Sequence, residues 1–285
     1  MTAFFTKQLD IPGYNASILK TEDGYIGLTR TCISYERYGV YPECGNTLFA
    51  FKLDTSFSVL DVQMIKDESG RKTYKNWTEG FEDPRLLTPS SALVVTCDSN
   101  NHWHTEVSEI VLDGHIVRSV RPYQVKDISP MNQKNWLFLR HHDDVYDDYL
   151  YSSFPFKILR LHRETKCGSI VKTITTPQSY TSHNGSVVKL DSGFLFTSRI
   201  KRSHEYLYSL WVRMDDEYNV LGISNPFLFT DTLKRNANGT YPRATYEMCM
   251  SLHLEGPDLV VCVSAGDARV FIQKYKLSEI LESLH

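Results

Sequence analysis

Apolar and polar positions alternate in short runs along the whole chain. Leu48–Leu53, Ala92–Cys97, Leu207–Val212, Leu259–Val263 and Val270–Tyr275 are examples, and Thr105–Val111 carries the period-two pattern of a half-buried strand. Hairpin-type breakers separate them: Glu22-Asp23-Gly24, Asp113-Gly114, Asp191-Ser192-Gly193 and Glu255-Gly256-Pro257-Asp258. Helical periodicity is scarce, and only Leu277–Leu281 predicts a short helix. Many short, evenly spaced strands predict an all-β chain: a sandwich, a barrel or a propeller. A propeller blade takes about 40–50 residues, so 285 residues would hold roughly five. No exact internal repeat stands out. No linker or shift of composition divides the chain, so one domain over residues 1–285 is expected.

Charge and cysteine usage narrow the classes. The net charge of −3 argues against bulk nucleic-acid binding, which needs a basic surface. The six cysteines form no C-x-x-C pair, which removes spacing support for zinc. Residues Met1–Leu19 include Lys7, Asp10 and Pro12 and lack the apolar run of a secretory leader. With no apolar stretch long enough to span a bilayer, a cytoplasmic protein with reduced thiols is expected. The sequons at Asn15, Asn76, Asn184 and Asn238 are then expected to carry no glycan.

Dinucleotide, P-loop, nucleophile-elbow and zincin motifs are all absent. The densest chemistry is Gly80-Phe81-Glu82-Asp83-Pro84-Arg85. Pro84 pushes the residue before it towards an extended conformation. An extended Glu82-Asp83 pair sends its carboxylates to opposite sides, with Arg85 on the side of Asp83. The run reads either as a charged turn at a strand start or as a working centre.

G-x-E-D-P-R followed by an apolar strand resembles the signature of the β-mannoside phosphorylases and hydrolases of glycoside hydrolase family 130. It equally resembles the related β-mannosyltransferases, all built on a five-bladed β-propeller. Asn15-Ala16-Ser17 with Arg30 is similar to the family's first blade, and Lys134-Asn135-Trp136 resembles a segment of glycosyltransferase-like relatives. His183-Asn184-Gly185-Ser186 sits where relatives carry a Gly-rich active-site turn. The resemblance implies a five-bladed propeller in which Asp83 handles the proton at the glycosidic oxygen. The other substrate contacts expected are Asn15, Arg30, Glu82, Arg85, Lys134, Asn135, His183, Asn184 and Arg199; Glu247, just ahead of a strand, reads either as a sugar-hydroxyl partner or as a buried structural pair.

One departure redirects the expected reaction. Family phosphorylases carry a His-Gly pair where Phe194–Thr197 here runs into Ser198-Arg199. An Arg there suits a nucleotide diphosphate. The leading expectation is therefore an inverting glycosyltransferase that moves a sugar from a nucleotide-sugar donor to a glycan acceptor. A β-glycoside phosphorylase or hydrolase on the same scaffold is the alternative, and a catalytically silent glycan-binding propeller is the third reading. No cofactor or essential metal is expected. The run Asp143–Asp148 reads as a solvated acidic loop, and His102, His104, His141 and His142 as surface residues. Trp77 and Trp136 read as stacking platforms or as core.

Overall fold

The computed structural model describes residues 2–35, 43–70, 79–97, 105–128, 134–153, 155–174, 181–202, 205–230, 247–266 and 268–285. Apart from one short helix the described residues are all-β, and the fold is a five-bladed β-propeller. Two compact units carry the blades: Leu9–Lys134 holds two, and Met1–Gln8 with Asn135–His285 holds three.

Strand β1 (Phe5–Leu9) opens the chain. In the Leu9–Lys134 unit, β2 (Tyr14–Thr21), β3 (Gly24–Tyr35), β4 (Glu43–Leu53) and β5 (Val59–Met64) form the first antiparallel meander. Two two-residue strands follow, β6 (Lys66–Asp67) and β7 (Glu79–Gly80), the latter parallel to β4. The second meander is β8 (Glu82–Thr88), β9 (Ser91–Cys97), β10 (Thr105–Asp113) and β11 (Ile116–Pro122), with β6 parallel to β11 at its outer edge. The short β12 (Gln124–Val125) comes next. Leu28, Leu48, Phe81, Val94, Ile110 and Val117 form this unit's core. Each such side chain contributes about 1.5–3 kcal/mol on burial.

The other unit repeats the scheme. Its first blade is β13 (Leu137–His141), β14 (Tyr146–Ser153), β15 (Phe156–His162) and β16 (Cys167–Ile174). The next is β17 (Thr181–Lys189), β18 (Phe194–Arg202), β19 (Glu205–Met214) and β20 (Val220–Ile223). The last is β21 (Glu247–Glu255), β22 (Asp258–Ala265) and β23 (Arg269–Lys276), to which β1 adds itself beside β23. The helix α1 (Leu277–Glu282) follows, seating Ile280 in the core. At the centre of that core the fully buried Trp211 stacks on Phe227 at 5.6 Å and meets Phe229 edge-on at 5.8 Å.

The breakers behave as turn chemistry requires. Between β21 and β22, Gly256 has φ 58°, a left-handed value that glycine adopts without cost. Among the described residues no helix is long and apolar enough to cross a membrane.

Candidate active site

The EDPR run lies at the start of β8, the first strand of its blade. It does not run extended. Asp83 has φ 47°, and the β8–β9 register slips between Glu82 and Arg85, so Asp83-Pro84 bulges out of the ladder. A bulge re-aims the side chains around it. The expectation that Glu82 and Asp83 point to opposite sides is thereby corrected: an extended pair would diverge, but a left-handed Asp83 brings both carboxylates to one place. Arg30 touches both, with Nη1 3.4 Å from Glu82 Oε1 and Nε 3.1 Å from Asp83 Oδ1.

Four strands and a loop supply this cluster. From β2, Asn15 Nδ2 donates to Asp83 Oδ1 at 2.7 Å. From β3, Arg30 lies over the Tyr14 ring at 4.8 Å. From β4, Asn46 Oδ1 accepts from Arg30 Nη1 at 2.6 Å, and Asn46 Nδ2 faces Glu82 Oε1 at 3.4 Å. Lys134 Nζ donates to Glu82 Oε2 at 3.1 Å. Gly80 makes the approach possible: it has φ 88°, and a Cβ there would stand 2.1 Å from the Asn46 carbonyl oxygen. A hydrogen bond from Leu86 N to Ser17 Oγ ties β8 to β2 at 3.2 Å.

Asn15 repeats the geometry of Asp83. It too has a positive φ, 51°, at a register slip, here between Tyr14 and Ser17. Thr29 Oγ1 braces that bulge on the Tyr14 carbonyl at 2.9 Å. Asn15, Glu82, Asp83 and Arg85 are all buried. Burial by itself would raise the Asp83 pKa. The charges of Arg30 and Lys134, the Asn15 hydrogen bond and the Arg85 charge outweigh it and hold the carboxyl below its ordinary range. Burial would lower the Lys134 pKa, but Glu82 and Asp83 reverse that and raise it. The resting Asp83 is thus an ionised carboxylate inside a cationic frame.

The remaining candidates lie in the other unit. Asn135 is buried with φ 59°, just ahead of β13. Trp136 is buried, edge-on to Tyr151 at 6.0 Å, and so takes the core reading. His183 and Asn184 lie on β17, paired along the backbone with Arg199 and Ser198 of β18. Arg199 is buried. Glu247 has its carboxylate occupied by the chain's own groups: Phe229 N and Thr230 N each donate to it at 2.6 Å, and Thr230 Oγ1 donates to Oε1. Trp77, His102 and His104 lie outside the described residues.

The acidic run of this unit also departs from expectation. Asp143 caps a turn, accepting from Val145 N and Tyr146 N at 2.8 and 2.7 Å. Asp147 and Asp148, however, are buried on β14 rather than solvated in a loop. Pairing of β14 on β15 carries them into the sheet, where cations and a phenol satisfy them. Arg160, opposite Asp148 in the register, grips it at 2.8 and 3.1 Å, and Tyr218 OH donates at 2.5 Å. His141 and Arg163 meet Asp147 at 2.7 and 3.1 Å, and His142 meets Asp148 at 3.2 Å. Both histidines are exposed, as expected, and set their Nδ1 atoms against these carboxylates. Among the described residues no group of three or more His, Cys, Asp or Glu is placed to hold a metal ion.

Sequence reasoning missed Asn46. No local motif marks it, and it reaches the cluster only through the long β3–β4 hairpin, in which Asn46 pairs with Cys32 and Leu48 with Arg30.

No family model and no curated sequence matches the chain. Solved structures do. A β-1,2-mannobiose phosphorylase from Listeria innocua, in complex with β-1,2-mannobiose, matches with a TM-score of 0.65 at 13% identity, covering 98% of this chain and 93% of its own. A glycosyl hydrolase from Bacteroides ovatus matches at 0.64 and 10% identity, covering 95% and 86%. A structure from the GH130 family of mannoside phosphorylases, which contains hydrolases of β-1,2-mannosidic linkages in Candida mannan, matches at 0.60 and 10% identity, covering 95% and 86%. Identities this low carry the fold. They also correct the expected reaction: the similar structures are phosphorylases and hydrolases, not nucleotide-sugar glycosyltransferases. The five-bladed propeller read from the EDPR run is the fold these phosphorylases and hydrolases share with this chain.

Proposed function

We propose that this protein cleaves β-glycosidic bonds by single displacement, with Asp83 moving the proton at the glycosidic oxygen. One observation carries the reading: a buried carboxylate, bulged out of its strand into a frame of Arg30, Lys134, Asn15 and Arg85. Buried titratable groups with strong charge partners mark sites of chemistry. Such a group exchanges protons with a sugar oxygen while cations around it favour an anionic co-substrate.

The carboxylate arrangement favours phosphorolysis. An inverting hydrolase places its acid and base roughly 6.5–9.5 Å apart, on opposite faces of the sugar. Glu82 and Asp83 share one guanidinium, and Glu82 is also held by Lys134. Glu82 is therefore not placed as a separate base. Phosphate needs none: its oxygen attacks C1, the C1–O bond breaks, and the departing oxygen takes a proton passed by Asp83. Because resting Asp83 is ionised, that proton arrives with the substrates. The second reading, hydrolysis, is favoured by Ser198-Arg199 standing where family phosphorylases resemble one another in His-Gly.

β-Mannosides are the first substrates to test, given the β-1,2-mannobiose complex among similar structures. Incubation of β-1,2-mannobiose and a panel of other β-glycosides with and without inorganic phosphate separates the readings. Phosphate-dependent release of a sugar 1-phosphate supports phosphorolysis, and free sugar without phosphate supports hydrolysis. Release of neither across the panel sinks the proposal.

A further inference from the structure

Asn46 lies one layer behind the carboxylates. It is buried, its Oδ1 accepts from Arg30 Nη1 at 2.6 Å, and Arg30 turns its Nε to Asp83 at 3.1 Å. A guanidinium is a planar fork, so fixing one arm fixes the direction of the others. The Tyr14 ring beneath Arg30 limits tilting out of that plane, and the Asn46 backbone is locked beside Gly80 by the β4–β7 pairing.

We propose that Asn46 is a positioning residue that aims the Arg30 guanidinium at Asp83 and so sets the charge state in which Asp83 meets the substrate. The inference rests on the reading of Asp83 as the proton carrier. The charged groups that face Asp83 are Arg30 from β3, Lys134 from the loop ahead of β13, and Glu82 and Arg85 from β8, with Asn15 of β2 as neutral donor. Asn46 carries no charge, so it acts on Asp83 through where Arg30 stands and, over a longer contact of 3.4 Å, through where Glu82 stands. Lys134 and Arg85 remain when Asn46 is removed. The expected effect is therefore a partial return of Asp83 towards its ordinary ionisation.

The test is a 13C-carboxyl NMR titration of the full chain, with the Asp83 signal assigned by its loss in Asp83→Asn. Wild type is compared with Asn46→Ala and Asn46→Ser, neither of which changes the charge count. The expected result is an Asp83 midpoint raised by about one unit in both variants, since an opposite charge at this range lowers a carboxyl by about 1–3 units. Thermal unfolding of each variant reports folding, and Asn46→Ser serves if the alanine variant fails to fold. Midpoints indistinguishable from wild type in a folded variant overturn the inference and make Asn46 merely structural. The underlying reading fails separately, if Asp83→Asn retains wild-type turnover of a cleaved β-glycoside.

Discussion

Two acidic pairs, Glu82-Asp83 and Asp147-Asp148, are both buried on blade strands and both surrounded by cations. What differs is the backbone beneath them. Asp147-Asp148 stays in register with β15, Asp148 directly opposite Arg160 and Asp147 opposite Leu161, the slip on its other side falling in β13, so the two carboxylates go to separate partners. Glu82-Asp83 breaks register, and its carboxylates converge on one guanidinium. Burial and ion pairing are thus shared by a structural and a candidate catalytic pair. The bulge, which brings two like charges together on a shared guanidinium, is what separates them.

The sharpest way to break this comparison is Asp83→Asn. Loss of a group that transfers protons costs roughly 10²–10⁴ in turnover. Thermal unfolding should fall only modestly, because Arg30 and Lys134 keep Glu82. Large destabilisation with intact turnover would place Asp83 in the structural class.

Asp148→Asn should do the reverse. It leaves Arg160 and the Tyr218 hydroxyl without their anion, at a cost of about 3 kcal/mol in denaturant unfolding, while activity per folded molecule is unchanged. Its pH dependence has a definite sign. Burial would raise the Asp148 pKa, but the Arg160 and Tyr218 hydrogen bonds and the charges of Arg160 and His142 lower it overall. A depressed carboxyl contributes fully above its unfolded pKa, about 3.9, and loses the contribution as pH falls through the folded value. The stability gap between wild type and Asp148→Asn should therefore be constant above about pH 5 and shrink below pH 4.

The smallest effect expected is from Tyr218→Phe. It removes one donor to Asp148 but keeps Arg160, and should cost about 1–2 kcal/mol. Any effect on turnover would contradict the assignment of this network to stability.

The alternation, the Gly-bearing turns and the short final helix made the architecture legible, because period two and hairpin chemistry are local. The resemblance carried by the EDPR run added the blade count. The cluster was legible in its members Asn15, Arg30, Glu82, Asp83 and Lys134 but not in its geometry. Reasoning from Pro84 predicted an extended Asp83, whereas the sheet imposes a left-handed one. A signal for this was present and unused. Asn15, Asp83 and Asn135 each stand at or just ahead of the first strand of a blade, each with positive φ, and Asx residues are the side chains that tolerate it best. Asn46 had no such signal, because its place depends on hairpin register far from the motif. Asp147 and Asp148 were misread because the acidity of the run outweighed the alternation around it.

The left-handed backbone at Asp83 also shapes what this protein can become. Most side chains there would carry a conformational penalty on top of any chemical loss, of about 1–2 kcal/mol. Asparagine would not. A single Asp-to-Asn change therefore adds no backbone penalty, and on the proposed function it is severe for proton transfer. On that reading the scaffold can shed its chemistry while keeping its shape and the amides and cations around position 83. The distance from cleaving a glycan to merely holding one is then one substitution, at a position the backbone leaves open to it.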